Sequence, residues 1–259
     1  MSERGADGSA GDADYGRIGG GYATYRQPDA RIEQVITAAL GGARTVVNVG
    51  AGAGSYESAM LEVTAVEPSA SMRAQRPAHL SAAIDAVAED LPFGDDAFDA
   101  AMTTFSVHQW GDFRSGLREM RRVARGPVVL LTCDPDLVRD FWLYEYAPQV
   151  LDTEARRYPV IADLAEALGG DTTVTRVPIP VDCTDGFNEA YYARPEMLLD
   201  PGARQANSAW SFVGEESREQ FAVDLRGDLD SGAWDARFGV LRKQPFYEGS
   251  LVVIRSVPA

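Results

Sequence analysis

The chain has 259 residues, 45% of them hydrophobic, with 24 Lys and Arg against 39 Asp and Glu and a formal net charge of -15. That length suits a single large domain with a sizeable interior, while the negative balance lacks the basic face needed to neutralise nucleic-acid phosphates and disfavours an anionic membrane surface. Two cysteines, Cys133 and Cys183, are too few for a disulfide framework and too isolated for a zinc site, so no metal is expected. No stretch approaches the roughly 18 apolar residues of a membrane span, and the N-terminus has no apolar core of the signal-peptide kind. The expected location is the cytoplasm.

Residues 1–14 are rich in Gly, Ser, Ala and Asp and are expected to form a disordered tail, with one domain over 15–259. The stretch YGRIGGGYATYRQPDARI then sets Tyr15, Tyr22, Tyr25 and Arg26 among glycines. It reads either as an arm packed on the core or as a lid whose aromatics close over a ligand. Pro28 suits the first turn of a helix running to about residue 40, with Ile32, Val35, Ile36 and Ala39 on one face. Residues 45–49 are a short apolar run of the buried parallel-strand type, followed at once by Gly50, Gly52 and Gly54. A second strand, 63–66, ends in Glu67, a carboxylate placed to accept hydrogen bonds from two vicinal ribose hydroxyls. A dinucleotide fingerprint needs a glycine three residues after the second, where this chain has Ser55, and no Lys-Ser/Thr pair follows to make a P-loop.

Pro68 and Ser69 open a helix to about residue 75, and residues 81–87 read as a third strand. After the turn at 94–96 comes a fourth strand, 98–105, then Ser106-Val107-His108-Gln109-Trp110. Asp112 is placed to cap a helix over 112–124 with Leu117, Met120 and Val123 on its apolar side, and 128–132 is a fifth, continuous apolar strand. From Pro135 the chain turns aromatic and helical. A sixth strand, 172–181, carries Pro178 and Pro180 and is expected at an edge. A helix at 215–229 and a final strand at 249–257 complete the pattern, leaving 135–170 and 182–230 to form a cap over the strand ends.

At the GxGxG turn the chain resembles the class I S-adenosylmethionine-dependent methyltransferases. The Tyr-Arg-x-Pro leader, the acidic block AEDLPFGDDAFDA and the His-x-Trp piece resemble further motifs of that family, the last one its ubiquinone-biosynthesis-like, small-molecule group (methyltransferase type 11). The resemblance covers residues 15–133. It implies an α/β fold with a Rossmann-like seven-stranded sheet, mostly parallel with the last strand antiparallel, plus a small helical cap. It implies S-adenosyl-L-methionine as cofactor and methyl transfer to an O, N or C nucleophile of a small molecule, with specialised metabolism as a setting. The same motifs would serve a cofactor-binding protein or a cyclase on this fold that transfers no methyl group. No nucleic-acid or membrane partner is expected, and the state is a monomer or homodimer.

Carried over by position, the cofactor-binding set is Asn48, Gly50, Ala51, Gly52, Gly54, Glu67, Pro68, Ser69, Met72, Ala88, Glu89, Thr104 and Phe105. Asn48 stands where the family has an acidic residue, and Val87 where it has the adenine-contacting aspartate, for which Glu89 or Asp90 would substitute. Ala88 would meet the adenine through its backbone N–H. Tyr15, Tyr22, Tyr25, Arg26 and Trp110 are the lid and substrate candidates. His108, one of two histidines, falls at the carboxyl end of a central strand, either as a general base or as a pocket wall.

Overall fold

The computed structural model describes residues 21–258. In chain order its elements are α1 (Tyr22–Tyr25), α2 (Ala30–Leu40), β1 (Thr45–Val49), β2 (Glu62–Val66), α3 (Ala70–Arg73), β3 (Ala100–Thr104), α4 (Phe113–Val123) and β4 (Val128–Cys133). There follow α5 (Pro148–Arg157), α6 (Ile161–Leu168), β5 (Asp171–Arg176), β6 (Ile179–Pro180), α7 (Pro201–Gln205), α8 (Glu215–Ser231), α9 (Ala233–Phe238), β7 (Phe246–Tyr247) and β8 (Leu251–Val257), with short 3-10 turns between several of them. The main sheet runs β2-β1-β3-β4-β8-β5. Its first four strands are parallel, and β8 lies antiparallel between β4 and β5.

Burial on both faces explains why β1, β3 and β4 are near-continuous apolar runs. Alternate residues of one strand enter two different cores. Val46, Met102, Val129 and Leu131 join Ile32, Ile36 and Leu40 of α2 on one face. Val47, Ala101, Leu130 and Ile254 join Leu117 and Met120 of α4 and Leu164 and Leu168 of α6 on the other. The α4 helix starts where Asp112 accepts hydrogen bonds from the N–H groups of Arg114 and Ser115, which satisfies two donors that no helix turn precedes.

The sheet has six strands where seven were expected. Residues 81–87 form a single parallel bridge, Val66 to Ile84, instead of a strand. Ile84 is still 39% exposed and Ser81, Ala82 and Asp85 face solvent, so this edge segment has too little apolar surface to hold a ladder. At the opposite edge β5 stops before Pro178, and Ile179–Pro180 leaves to pair with Phe246–Tyr247 in a separate ribbon. A proline without an N–H ends the main ladder there.

The cap differs from the expected one at two places. α6 packs below the sheet beside α4, and the cap continues past residue 230 through α9 and the turn Gly239–Lys243. Trp234 of α9 is fully buried and meets Trp142 edge-on at 5.6 Å. The cap's own core is continuous with the α2 face of the sheet: Phe141, Tyr191, Trp210 and Phe221 belong to one cluster with Val46 and Met102. Among the described residues no helix is long and apolar enough to cross a membrane, and no group of three or more His, Cys, Asp or Glu could hold a metal ion.

Leu117 is fully buried between α4 and the sheet. Leu117→Ala should lower unfolding stability by about 2–5 kcal/mol through lost burial and a residual cavity, read from the urea midpoint.

Candidate functional site

At the carboxyl end of β1 the chain turns through Gly50, Gly52 and Gly54, with φ of +69°, +53° and +95°. The N–H groups of Gly50 and Ala51 both donate to the carbonyl of Val66 at 2.9 Å, which folds the turn back over the end of β2. Glu67 completes the corner. One of its carboxylate oxygens accepts the N–H of Gly52 at 2.7 Å and the other accepts the N–H of Ser69 at 2.8 Å. Glu67 is 7% exposed, and burial raises its pKa against the pull of those two N–H donors. Gly50 is required for a second reason. A Cβ there would lie 1.8 Å from Oγ of Ser106, which itself accepts from the indole N–H of Trp110 at 3.0 Å.

These elements line a cleft enclosing about 820 Å³ with its open mouth included, in the size range of a small-ligand site. Its floor is Gly50, Ala51 and Gly52; Glu67, Pro68, Ser69 and Met72 form one side, and Ala88, Thr104, Phe105 and Trp110 the other. Tyr22 and Arg26 of the leader also line it, together with Asp185 of the cap. The Arg26 guanidinium bonds to both oxygens of Asp185, and the Tyr56 hydroxyl donates to that carboxylate at 2.7 Å. Arg26 lies 4.9 Å over the ring of Phe105 and 5.4 Å over that of Tyr22. The N–H of Gly186 donates to the carbonyl of Tyr25 at 2.8 Å, and the Tyr25 hydroxyl reaches Asp200 at 2.7 Å.

A second cavity lies beyond this wall and shares Tyr22, Arg26 and Phe105 with the first. The cap supplies Leu151, Glu154, Tyr158, Phe187, Asn188, Glu189 and Asn207, and the sheet side supplies His108, Cys133 and Ser250. His108 faces Tyr158 with ring centroids 4.5 Å apart. Its Nε2 is 2.9 Å from the side-chain amide of Gln109. Nδ1 is buried and has no partner among the described residues. Burial, with Arg157 and Arg26 adding to it, holds the His108 pKa well below its usual value, so the imidazole is neutral at physiological pH. Burial acts on the acids in the opposite direction: Glu154 and Glu189 are both pushed up to about 7.

Residues 47–131 match the family model described as a methyltransferase domain. This stretch is a methyltransferase domain. Its cofactor is S-adenosyl-L-methionine. One solved structure from Anabaena variabilis, provisionally named a methyltransferase from an antibiotic biosynthesis pathway, is 28% identical with a TM-score of 0.84, over 90% of this chain and 98% of that one. Geranyl diphosphate C-methyltransferase from Streptomyces coelicolor A3(2) shares the fold at 15% identity and a TM-score of 0.51, over 88% of this chain and 77% of its own. A curated relative, the uncharacterized protein YafE of Escherichia coli (strain K12), is 40% identical over 60 residues; this chain covers 29% of its length, and the match takes in 22% of this chain.

Within this methyltransferase fold the sequence-derived residues fall into three groups. Gly50, Ala51, Gly52, Glu67, Pro68, Ser69, Met72, Ala88, Thr104, Phe105, Tyr22, Arg26 and Trp110 line the first cleft. His108 lines the second cavity instead. Asn48, Gly54, Glu89 and Tyr25 line neither. Asn48 donates to Glu57 at 3.0 Å, and Glu57 is paired with Arg76 at 2.7 Å. Glu89 accepts the N–H of Asp112 at 2.9 Å and so ties the acidic loop to the start of α4. Tyr15 lies outside the described residues. Asp185, Glu154 and Glu189 were not singled out from sequence, because no local pattern marks an acid in the cap as facing a cavity.

The Arg26–Asp185 pair has side-chain exposures of 9% and 3%. Asp185→Ala would leave a guanidinium and a phenol hydroxyl buried without their partner, at a cost of about 3–5 kcal/mol. Adding Arg26→Met should recover part of that loss in chemical denaturation.

The raised acids have a pH signature of their own. Between the ordinary Glu value of 4.5 and about 7, folded Glu154 keeps its proton while the unfolded chain releases it, so its contribution to stability falls as pH rises through that window. Glu154→Gln should therefore match the unsubstituted protein near the lower limit and become progressively more stable than it toward neutrality, measured as the difference in thermal midpoints.

Proposed function

We propose that this protein transfers the methyl group of S-adenosylmethionine, bound in the first cleft, to a small molecule held in the second cavity. The observation that carries this reading is the shared wall: a cleft formed by the glycine turn and Glu67 adjoins a second cavity under the cap, and the two share Tyr22, Arg26 and Phe105. The bound cofactor supplies an electrophilic methyl group, so the protein needs no nucleophile or metal of its own. Its task is to bind, align and exclude water.

The residues of the first cleft fit that cofactor. Each Glu67 oxygen accepts one backbone N–H and keeps lone-pair capacity for a ribose hydroxyl. No described cation forms an ion pair with this carboxylate, which suits hydroxyl donors. Gly50, Ala51 and Gly52 offer a backbone surface with little side-chain bulk, and Ala88 offers its N–H side to the adenine. Asn48 and Glu89 act indirectly, through Glu57 and the start of α4. Tyr22 and Arg26 serve as the lid, with Arg26 bonded to Asp185 and lying over the Tyr22 ring. His108, neutral and engaged at Nε2 by Gln109, serves as a wall of the second cavity.

The second cavity mixes apolar surface from Leu151, Phe105 and Phe187 with Asn188 and Asn207. That mixture supports a small, partly polar acceptor, and the net charge of -15 supports a diffusible molecule over a nucleic acid. Similarity over 90% of the chain to the Anabaena structure supports a role in specialised metabolism.

Glu67→Ala removes charge-assisted hydrogen bonds worth roughly 1.5–3 kcal/mol each. Calorimetry with S-adenosylhomocysteine should show an affinity at least ~10-fold weaker, with the fold retained by circular dichroism. Unchanged affinity would take Glu67 out of the site. Formation of S-adenosylhomocysteine from S-adenosylmethionine in the presence of small-molecule acceptors tests the transfer itself.

A further inference from the structure

The second cavity contains two carboxylates, and they are held differently. Both oxygens of Glu189 accept from the Ser250 N–H at 3.0 Å, and one also accepts the Ser250 hydroxyl at 2.9 Å, so this acid is engaged in joining the cap to the start of β8. Glu154, on α5, accepts a single hydrogen bond, from the Asn188 amide at 2.8 Å to Oε1. Asn188 is itself fixed, 2% exposed, with its own oxygen taking the indole N–H of Trp210 at 3.0 Å. The Glu154 carboxylate is thereby aimed by a locked partner while no described residue donates to its Oε2. Glu154 is half-buried, and it lines the cavity.

Among the described residues, the groups facing that space other than the two carboxyls cannot take a proton near neutrality. The Cys133 thiol and the Tyr158 phenol are pushed up by burial and stay protonated. The His108 Nε2 is engaged by the Gln109 side chain, burial holds the ring neutral, and no described residue partners its buried Nδ1. Arg26, the cation in the lining, is matched by Asp185.

We propose that Glu154 is the general base for the acceptor, which is a small neutral or cationic molecule whose N–H or O–H lies against the Glu154 carboxylate. The inference rests on the methyl-transfer reading and deepens it. As the acceptor's lone pair closes on the methyl carbon, the C–S bond breaks with its electron pair left on sulfur, and the acceptor's proton passes to Glu154, which later returns it to solvent. A molecule bearing a carboxylate or phosphate is excluded, because Glu154 and Glu189 would repel it and no unpaired cation among the described residues lines the cavity to hold it.

The charge state of Glu154 suits the task. Burial and the nearby Glu189 raise its pKa to about 7, against the opposing influence of Asn188, Arg157 and Arg26. A base poised there is deprotonated over the upper half of the physiological range and strong enough to accept a proton in the transition state.

The test uses the full chain, S-adenosylmethionine and three acceptor sets: small amines, phenols and alcohols, and carboxylate- or phosphate-bearing molecules. Expected is S-adenosylhomocysteine formation with a member of the first two sets and none with the third, with kcat/KM rising through about pH 7. Glu154→Gln, whose carbonyl can still accept from Asn188, should be slowed on the order of 100-fold or more and lose that pH limb. Its affinity for S-adenosylhomocysteine, by calorimetry, should stay within a few-fold of the unsubstituted protein. Glu154→Asp should recover part of the rate and the limb, which a merely structural role would not produce. Retention of rate and limb in Glu154→Gln, turnover confined to anionic acceptors, or loss of cofactor-product affinity in that variant would each overturn the assignment while leaving methyl transfer standing. No product from the unsubstituted protein with any set would instead bring down the methyl-transfer reading, and this inference with it.

Discussion

The buried bond between Arg26 and Asp185 holds the functional half of the molecule together. It joins a leader residue to a cap residue, and Tyr56, just past the glycine turn, donates to the same carboxylate. Three segments far apart in the chain therefore meet at one acid. Charges this deeply placed are tolerated only when paired, so the leader cannot leave without exposing Asp185 and Tyr56 to an unsatisfied interior. The surroundings are shaped to the leader as well. A Cβ at Gly186 would come within 2.7 Å of the Tyr25 carbonyl, and one at Gly202 within 2.4 Å of the Tyr25 hydroxyl oxygen. The wall between the two cavities is a consequence of this clasp, since Arg26 spreads over Phe105 and Tyr22 where the cavities adjoin.

Burial imposes one electrical regime on everything behind that wall. It lowers the His108 pKa and raises those of Glu154, Glu189, Cys133 and Tyr158. Each shift favours the neutral form. The groups then differ by their hydrogen-bond partners more than by their depth. Ser250 occupies Glu189 completely, Gln109 occupies one side of His108, and Asn188 leaves Glu154 half engaged. Thus, of the two carboxyls in this cavity whose charge changes near neutrality, Glu154 keeps an oxygen to which no described residue donates.

The glycine turn shows how a single residue can answer two demands. Its positive φ values let the backbone face a ligand, and the absence of a Cβ at Gly50 also makes room for Ser106 and, through it, Trp110. Glu67 couples the two sides by holding the N–H of Gly52 and the N–H of Ser69 at once. The cleft is consequently lined both by this turn and by residues from elsewhere in the chain.

The amino-acid sequence by itself determined the sheet core and the floor of the first cleft. Continuous apolar runs at 45–49 and 128–132, glycines at a fixed spacing and an acid at the end of a strand are all local patterns, and local patterns suffice because strand burial and turn geometry act over a few residues. Edge behaviour was legible at β5, where prolines interrupt the run, and not at 81–87, where pairing depended on how much apolar surface the edge could bury. The placement of α6 below the sheet and α9 in the cap was a tertiary decision, since amphipathic helices do not name the face they will cover. The same holds for the second cavity. Asp185, Glu154, Asn188 and Glu189 are unremarkable in sequence, and each acquires its role from partners far away along the chain, such as Arg26, Trp210 and Ser250. Their chemistry is set by burial and by which donors reach them, and both are properties of the closed fold alone.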